Sequence, residues 1–300
     1  MSAFARWLRG HRLPRIATVV ITFLLPLTNV VSAAIVVMTA RADGWRSAAV
    51  DVLAALAALG VLIVLASGGA AAPSPGTAAL GAAGLWGGAL LGGALLRRFG
   101  SVDLALQALV IGALAGVVLA HLVIPDAQGY WQPQLESLIK AAGLPQVGDL
   151  PPDWLARVAA LMHGAIGATY LSTLILALIL GLWLDRDDQA AGQWRRQFLE
   201  LRLGRVLSLA SGFAAVLTGT GATSLGGGLL LVLGTGFAAQ GLAVVHWTAD
   251  HRGWPRIWPL ALYAPLLLGA PSAVLVLLGL ALAGLLDNGF ALRRRRANVV

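Results

Sequence analysis

From residue 16 to residue 286 the chain alternates long apolar runs with short polar or arginine-rich stretches. The runs cover 16–40, 46–66, 77–96, 102–124, 154–184, 206–221, 227–249 and 257–286. Most reach the roughly 20 apolar residues needed to cross a ~30 Å hydrocarbon layer. Backbone groups cannot stay unpaired in lipid, so a spanning run is either a helix or part of a closed barrel. The runs are continuous rather than alternating, which excludes a barrel. The pattern predicts an all-α polytopic membrane bundle: one membrane domain over 1–300, with about seven to eight segments.

Two of these runs do not read as plain spans. In 16–40, Pro26 interrupts the helical bonding in "LLPLTN". In 257–286, Pro259, Pro265 and Pro271 break a run that is long for one crossing and has arginines near both ends. A re-entrant or broken segment is favoured at each place over a kinked full span, because irregular backbone is tolerated at membrane depth only when protein or a cavity surrounds it.

The polar stretches predict two helices of another kind. Within the loop 125–153, "PQLESLIKAAG" (133–143) predicts a short amphipathic helix starting at Pro133 and stopping at Gly143. Between the fifth and sixth runs, 189–205 predicts an in-plane amphipathic helix, with Trp194, Phe198 and Leu201 on one face and arginines flanking it.

Composition sharpens this picture without changing it. The chain is 58% hydrophobic and 11% charged, and its mean hydropathy is +0.82, whereas soluble domains carry about 25% charged residues. The net charge of +8 does not point to nucleic acid, since the arginines cluster at the ends of apolar runs. Charges so placed orient helices and meet anionic headgroups. By the positive-inside rule, the acidic 125–153 loop lies outside and 185–205 inside. Working backwards, Arg97–Arg98 and Arg41–Arg46 also lie inside, and so do Arg6, Arg9, Arg12 and Arg15. Two inside regions then flank 16–40, and a re-entrant hairpin there removes the conflict. No small-residue cleavage site follows the basic N-terminal stretch. The expected location is the bacterial inner membrane, with both termini cytoplasmic.

Candidate chemistry is sparse. There is no cysteine, His-Glu-x-x-His, Gly-x-Ser-x-Gly elbow or Walker loop, and an enzyme is not expected. The glycine-rich 219–228 and 234–241 follow no strand, so they are not read as nucleotide loops. The polar residues inside apolar runs are then the functional candidates, because their desolvation is costly. His121, His163 and His246 stand out, with Asn29, Asp51, Gln107, Tyr170 and Gln240 beside them. Each histidine admits two readings: an interhelical hydrogen bond, or a ligand or proton-relay role. His163 and Tyr170 share a helix face, and Asp250 lies one turn beyond His246. The histidines lack i, i+4 spacing, so no metal site or other cofactor is expected. The Gly-rich 81–96 and Gly112–Gly116 offer faces for close helix packing.

Several stretches together resemble the YybS-like bacterial membrane proteins, a family of unknown function. They are "RLPRIATVVITFLLPLTNVVSAAIVVMTARADG", "LLRRFGSVDLAL", "QWRRQFLELRLGR", "AAQGLAVVHW" and "LGLALAGLLDNGFALRRR". More distantly, such proteins are similar to the substrate-binding membrane subunits of energy-coupling-factor vitamin transporters, although this chain has more segments than the usual six. The resemblance implies a solute-binding or transport-related subunit, with ligand contacts from His163, Tyr170, Gln240 and His246. The alternative is a scaffold that recruits a cytoplasmic or membrane partner, or anionic lipid. Docking would then use Arg195, Arg196, Arg202, Arg205, Asp287 and Arg293. In "GLLDNGFALRRRR" (284–296), Asp287 and Asn288 are expected to cap the final helix, with Asp287 pairing a nearby arginine.

Overall fold

The structure, a computed structural model, describes residues 3–25, 27–66, 75–143, 153–185, 191–255, 257–268, 272–290 and 293. Those residues form helices α1 (Ala3–Gly10), α2 (Arg12–Leu24), α3 (Asn29–Ala42), α4 (Trp45–Ala66), α5 (Pro75–Phe99), α6 (Val102–Val123) and α7 (Ala127–Ala141). They continue as α8 (Trp154–Ala160), α9 (Met162–Leu184), α10 (Ala191–Leu199), α11 (Gly204–Gly219), α12 (Thr223–His251), α13 (Ile257–Leu268) and α14 (Ser272–Phe290). Among the described residues, seven helical stretches are long and apolar enough to cross a membrane: 45–65, 76–99, 102–123, 162–184, 194–219, 223–251 and 272–290. The all-α polytopic architecture expected from the apolar runs is the one observed. Exposed side chains such as Leu53 and Val64 on α4, Ile111 and Leu119 on α6, and Leu209 and Val216 on α11 supply the apolar surface that lipid-facing helices require. The chain gathers into two compact units, Met1–Leu109 with Ser172–Leu201, and Val110–Leu171 with Arg202–Val300.

In the first unit, run 16–40 is two helices rather than one. At about 1.5 Å per residue, the 14 residues of α3 reach only about 21 Å, short of a full crossing. α3 is buried continuously from Ser32 to Ala40, as a helix apolar on all sides must be. α2 folds back on it. The Ser32 hydroxyl donates to the Val19 carbonyl (2.8 Å), and the Trp86 indole of α5 donates to Ser32 (2.8 Å). The turn between them holds Leu27 at φ 66. Arg15, in the first turn of α2, reaches Asp43 just past the end of α3 at 2.8 Å, so the outer ends of both helices lie together. This is the geometry of a hairpin. α3 also packs where glycines permit: a Cβ on Gly93 of α5 would meet the Val37 carbonyl at 2.6 Å, and one on Gly181 of α9 would meet Val37 at 2.8 Å.

In the second unit α12 is the central member, with α11 and α14 antiparallel to it. Gly226 of α12 sits on Ala214 and Thr218 of α11. Further along, Gly241 lies against the Leu280 carbonyl of α14, and Gly284 of α14 against the Phe237 carbonyl, each so closely that a Cβ would overlap the oxygen. Of run 257–286 the described residues form α13 and α14; residues 269–271, where the expected break falls, lie outside the described ones.

Three boundaries differ from expectation. The helix predicted from Pro133 begins six residues earlier: Asp126 caps it by accepting from the Gly129 N–H (2.8 Å), and Pro133 lies inside it. Pro133 is the seventh residue of α7, past the first turn, and has no N–H to offer the Gly129 carbonyl, so the helical ladder lacks one bond there. Run 154–184 is interrupted at Leu161 between α8 and α9. The amphipathic helix expected to reach residue 205 ends at Leu199, since Leu201 and Leu203 turn inward and Gly204 adopts φ +81 to start α11.

Candidate functional site

Three polar clusters are built from residues that the apolar pattern would leave unpaired. The first, in unit 1, joins arginines and aspartates. Asp51 of α4 accepts from Arg12 at 2.6 Å and pairs with Arg15 at 2.5 Å. Asp43 pairs with Arg15 and, at 3.4 Å, with Arg9. Asp185, at the end of α9, pairs with Arg9 at 3.3 Å and Arg41 at 2.5 Å. Arg15 and Asp51 are buried, where paired charges persist only if each has its partner. Arg97 donates to the carbonyls of Arg41 and Ala42, closing the C-terminal end of α3.

The second cluster lies midway along α12. Gln240, wholly buried, accepts from the Leu203 N–H at the start of α11 (2.9 Å) and donates to Asp287 of α14 (3.2 Å). Asp287 also accepts from the Arg293 side chain at 3.1 and 2.7 Å and from its backbone N–H at 3.3 Å. Asn288 donates to the Gly204 carbonyl (2.5 Å) and Ser208 (2.8 Å). The pairing expected of Asp287 with a nearby arginine is formed with Arg293. Neither can dock a partner directly: Asp287 is 0% exposed and Arg293 5%, so each faces the other rather than solvent. Residues 294–296 of the arginine run lie outside the described ones.

The third cluster holds the histidines. Gly164 of α9 meets Gly228 of α12 backbone to backbone, and this close approach sets His163 and Ser224 near the ring of His121 on α6. His121 Nε2 lies 3.0 Å from the Ser224 hydroxyl and its Nδ1 2.9 Å from the Val117 carbonyl. Ser224 donates to the Ala160 carbonyl at the end of α8 (2.7 Å). The His121 and His163 rings meet edge to face with centroids 4.6 Å apart, and the Trp131 ring of α7 lies 6.1 Å from His163. His163 is 5% exposed, yet both its ring nitrogens and the Trp131 indole N–H are buried without a hydrogen-bond partner. Buried polar groups are almost always satisfied, and leaving one unpaired costs about 1–3 kcal/mol.

The four residues grouped as ligand contacts therefore do not form one site. Gln240 lies 16 residues beyond Ser224 on α12, about 24 Å along the axis. His246 is further still and bonds the Tyr263 hydroxyl of α13 at 2.8 Å. Tyr170 is two turns beyond His163 on α9, half-buried. Arg195, Arg196 and Arg205 are exposed, and Arg202 is half-buried. Missing from the expected set were Trp131 and Ser224, which join His163 only through folding. Among the described residues no three potential metal ligands converge.

Fold and clusters together define a multi-pass α-helical membrane protein with polar groups buried between its helices. No protein-family profile, curated protein or solved structure matches the chain, and nothing in those comparisons identifies a YybS-like protein.

Proposed function

We propose that the protein is a solute-binding or transport-related subunit of the bacterial inner membrane that acts by binding rather than by catalysis. One observation carries this reading: His163 is buried with both ring nitrogens unpartnered, beside an indole N–H in the same condition. Such groups are costly in a membrane protein and mark a site when a ligand supplies the missing bonds. The positive-inside rule puts Arg97, Arg98, Arg195 and Arg196 on the cytoplasmic side. The His121–His163 end of α6 and α9 then faces outward, toward α7.

His163→Ala removes no hydrogen bond from the protein, so the fold is expected to survive. The variant should lose the thermal stabilisation that a bound solute confers on the intact chain, read across a vitamin, metal and metabolite panel and by native mass spectrometry. A panel that stabilises neither chain, with no co-purifying small molecule, overturns the reading.

The scaffold alternative draws on the exposed Arg195 and Arg196 of α10. Charge reversal at these two should then strip a partner protein from a pull-down, and unchanged recovery sinks it.

A further inference from the structure

In the first unit α4 begins where α5 ends: their apolar spans run 45–65 and 76–99, and Arg97 lies against Gly44. Trp45 and Phe99 therefore stand at the same edge of the hydrocarbon layer, where aromatic rings settle at headgroup level. Both are exposed. Between the two helix ends lies an open hollow of about 280 Å³, lined by Trp45, Ala94, Arg97 and Arg98. Pockets that enclose whole drug-sized ligands run to roughly 300–1,000 Å³. This hollow suits a headgroup whose tails stay outside.

Its walls are cationic. Arg97 uses Nη1 to donate to the carbonyls of Arg41 and Ala42. Those bonds fix the guanidinium plane, and its Nε and Nη2 hydrogens have no partner among the described residues. Arg98 extends over the Phe99 ring at 5.9 Å, and Arg46 over the Trp45 ring at 5.5 Å. A guanidinium stacked on an aromatic face keeps its edge N–H groups available to an anion. The nearby carboxylates are taken: Asp43, Asp51 and Asp185 pair with Arg9, Arg12, Arg15 and Arg41. Among the described residues none pairs with Arg46, Arg97 or Arg98, so these cations meet without a counter-charge.

The donor fork left on such a guanidinium matches the two free oxygens of a phosphodiester. An ammonium group would meet only cations here. Ala94 gives the hollow a shallow floor. Leu91, three residues deeper along α5 and so on the same face, is exposed. An acyl chain leaving the hollow runs along Leu91 into the bilayer, which a free phosphate would not use. We propose that the hollow between the start of α4 and the end of α5 binds the headgroup of an anionic phospholipid. Arg97 and Arg98 hold its phosphate, and Arg46 adds charge beside them. The site shares no residue with the histidine cluster and stands whether or not that cluster takes a solute.

The test titrates the full chain in detergent with phosphatidylglycerol, phosphatidylethanolamine and phosphatidylcholine of equal chain length, read by native mass spectrometry. Phosphatidylglycerol should saturate one tight site, and the zwitterionic lipids should not. Arg98 makes no hydrogen bond among the described residues, so Arg98→Gln should melt as the parent does. It should bind phosphatidylglycerol about fivefold more weakly, the effect of one arginine beside an anionic lipid. Arg46→Gln should act in the same direction, and the double variant should lose roughly 25-fold. Arg252→Gln removes another exposed guanidinium held over an aromatic ring, that of Trp254 at 5.6 Å, and should leave the affinity unchanged. Equal weakening by Arg252→Gln overturns the location. Zwitterionic lipids that bind as tightly overturn the selection by charge. Displacement by millimolar inorganic phosphate overturns the lipid as the source of the anion. A parent chain that retains no phosphatidylglycerol overturns the site altogether.

Discussion

Gly284 of α14 lies so close to the carbonyl of Phe237 on α12 that no side chain fits between them. The reciprocal contact, Gly241 against the Leu280 carbonyl, repeats the arrangement one turn away. Small residues let helix backbones approach where lipid offers no hydrophobic drive for association. Gly284→Ala should therefore destabilise the protein by at least the 1–3 kcal/mol typical of overpacking, because the obstacle is backbone and cannot rotate away. Gly289→Ala, on the same helix with open space around it, should leave the thermal midpoint in mild detergent unchanged. Equal midpoints for the two variants would show that α12 and α14 are not this close.

The Asp287–Arg293 pair should behave as a buried ion pair. Asp287→Asn removes the carboxylate that faces the buried Arg293 guanidinium, and a loss of up to about 3–5 kcal/mol is expected. Replacing both residues, Asp287→Leu with Arg293→Met, should recover most of it. Chemical denaturation of the three proteins decides the matter, and a single variant as stable as the parent would mean that the pair is solvated.

The same contrast separates Asp51 from Asp153. Asp51, buried and bridging Arg12 and Arg15, should not tolerate Asp51→Asn without a several-degree fall in melting temperature. Asp153 is exposed, and the hydrogen bond from Arg157 holds its carboxyl below the usual range. A depressed pKa contributes stability above the unfolded-state value, and that contribution is lost as pH falls through the folded one. Exposure leaves it negligible here. Arg157→Ala should thus move the Asp153 titration up toward the ordinary carboxylate range, seen by carboxyl NMR, with no change in melting.

The α2–α3 hairpin makes a topological prediction, testable because the chain has no cysteine. Gly10→Cys and Ala42→Cys should react with a membrane-impermeant thiol reagent from the same side. Labelling from opposite sides would mean that residues 12–42 cross the membrane once.

Much of this architecture is legible in the sequence because membrane helices must satisfy their own backbone, so long apolar runs leave little choice. Pro26 and the crowd of arginines on either side of run 16–40 already imply a hairpin. The break at Leu161 leaves no such trace, since the run stays apolar through it. Asp126 with Gly129 is a legible cap that the amphipathic pattern starting at Pro133 obscures. The arginine network is missed when arginines are counted only as orientation signals, although Asp43, Asp51 and Asp185 sit at the same ends of the runs. The histidine cluster is illegible for a different reason: His121 and Ser224 are 103 residues apart, and nothing local couples them.

The contact between Arg9 and Asp185 also spans 176 residues. At roughly 5–20 residues per second of synthesis, about 10–35 s separate the appearance of the two side chains. During that interval α2 to α9 are made, while Arg9 and Arg41 wait without Asp185. The N-terminal hairpin is consequently among the first parts of the molecule to be made and among the last of its unit to be locked. A ribosome stalled before residue 185 would hold a nascent chain in which Arg12 and Arg15 already have Asp43 and Asp51, while Arg41 still lacks Asp185 and meets the anionic lipid surface instead.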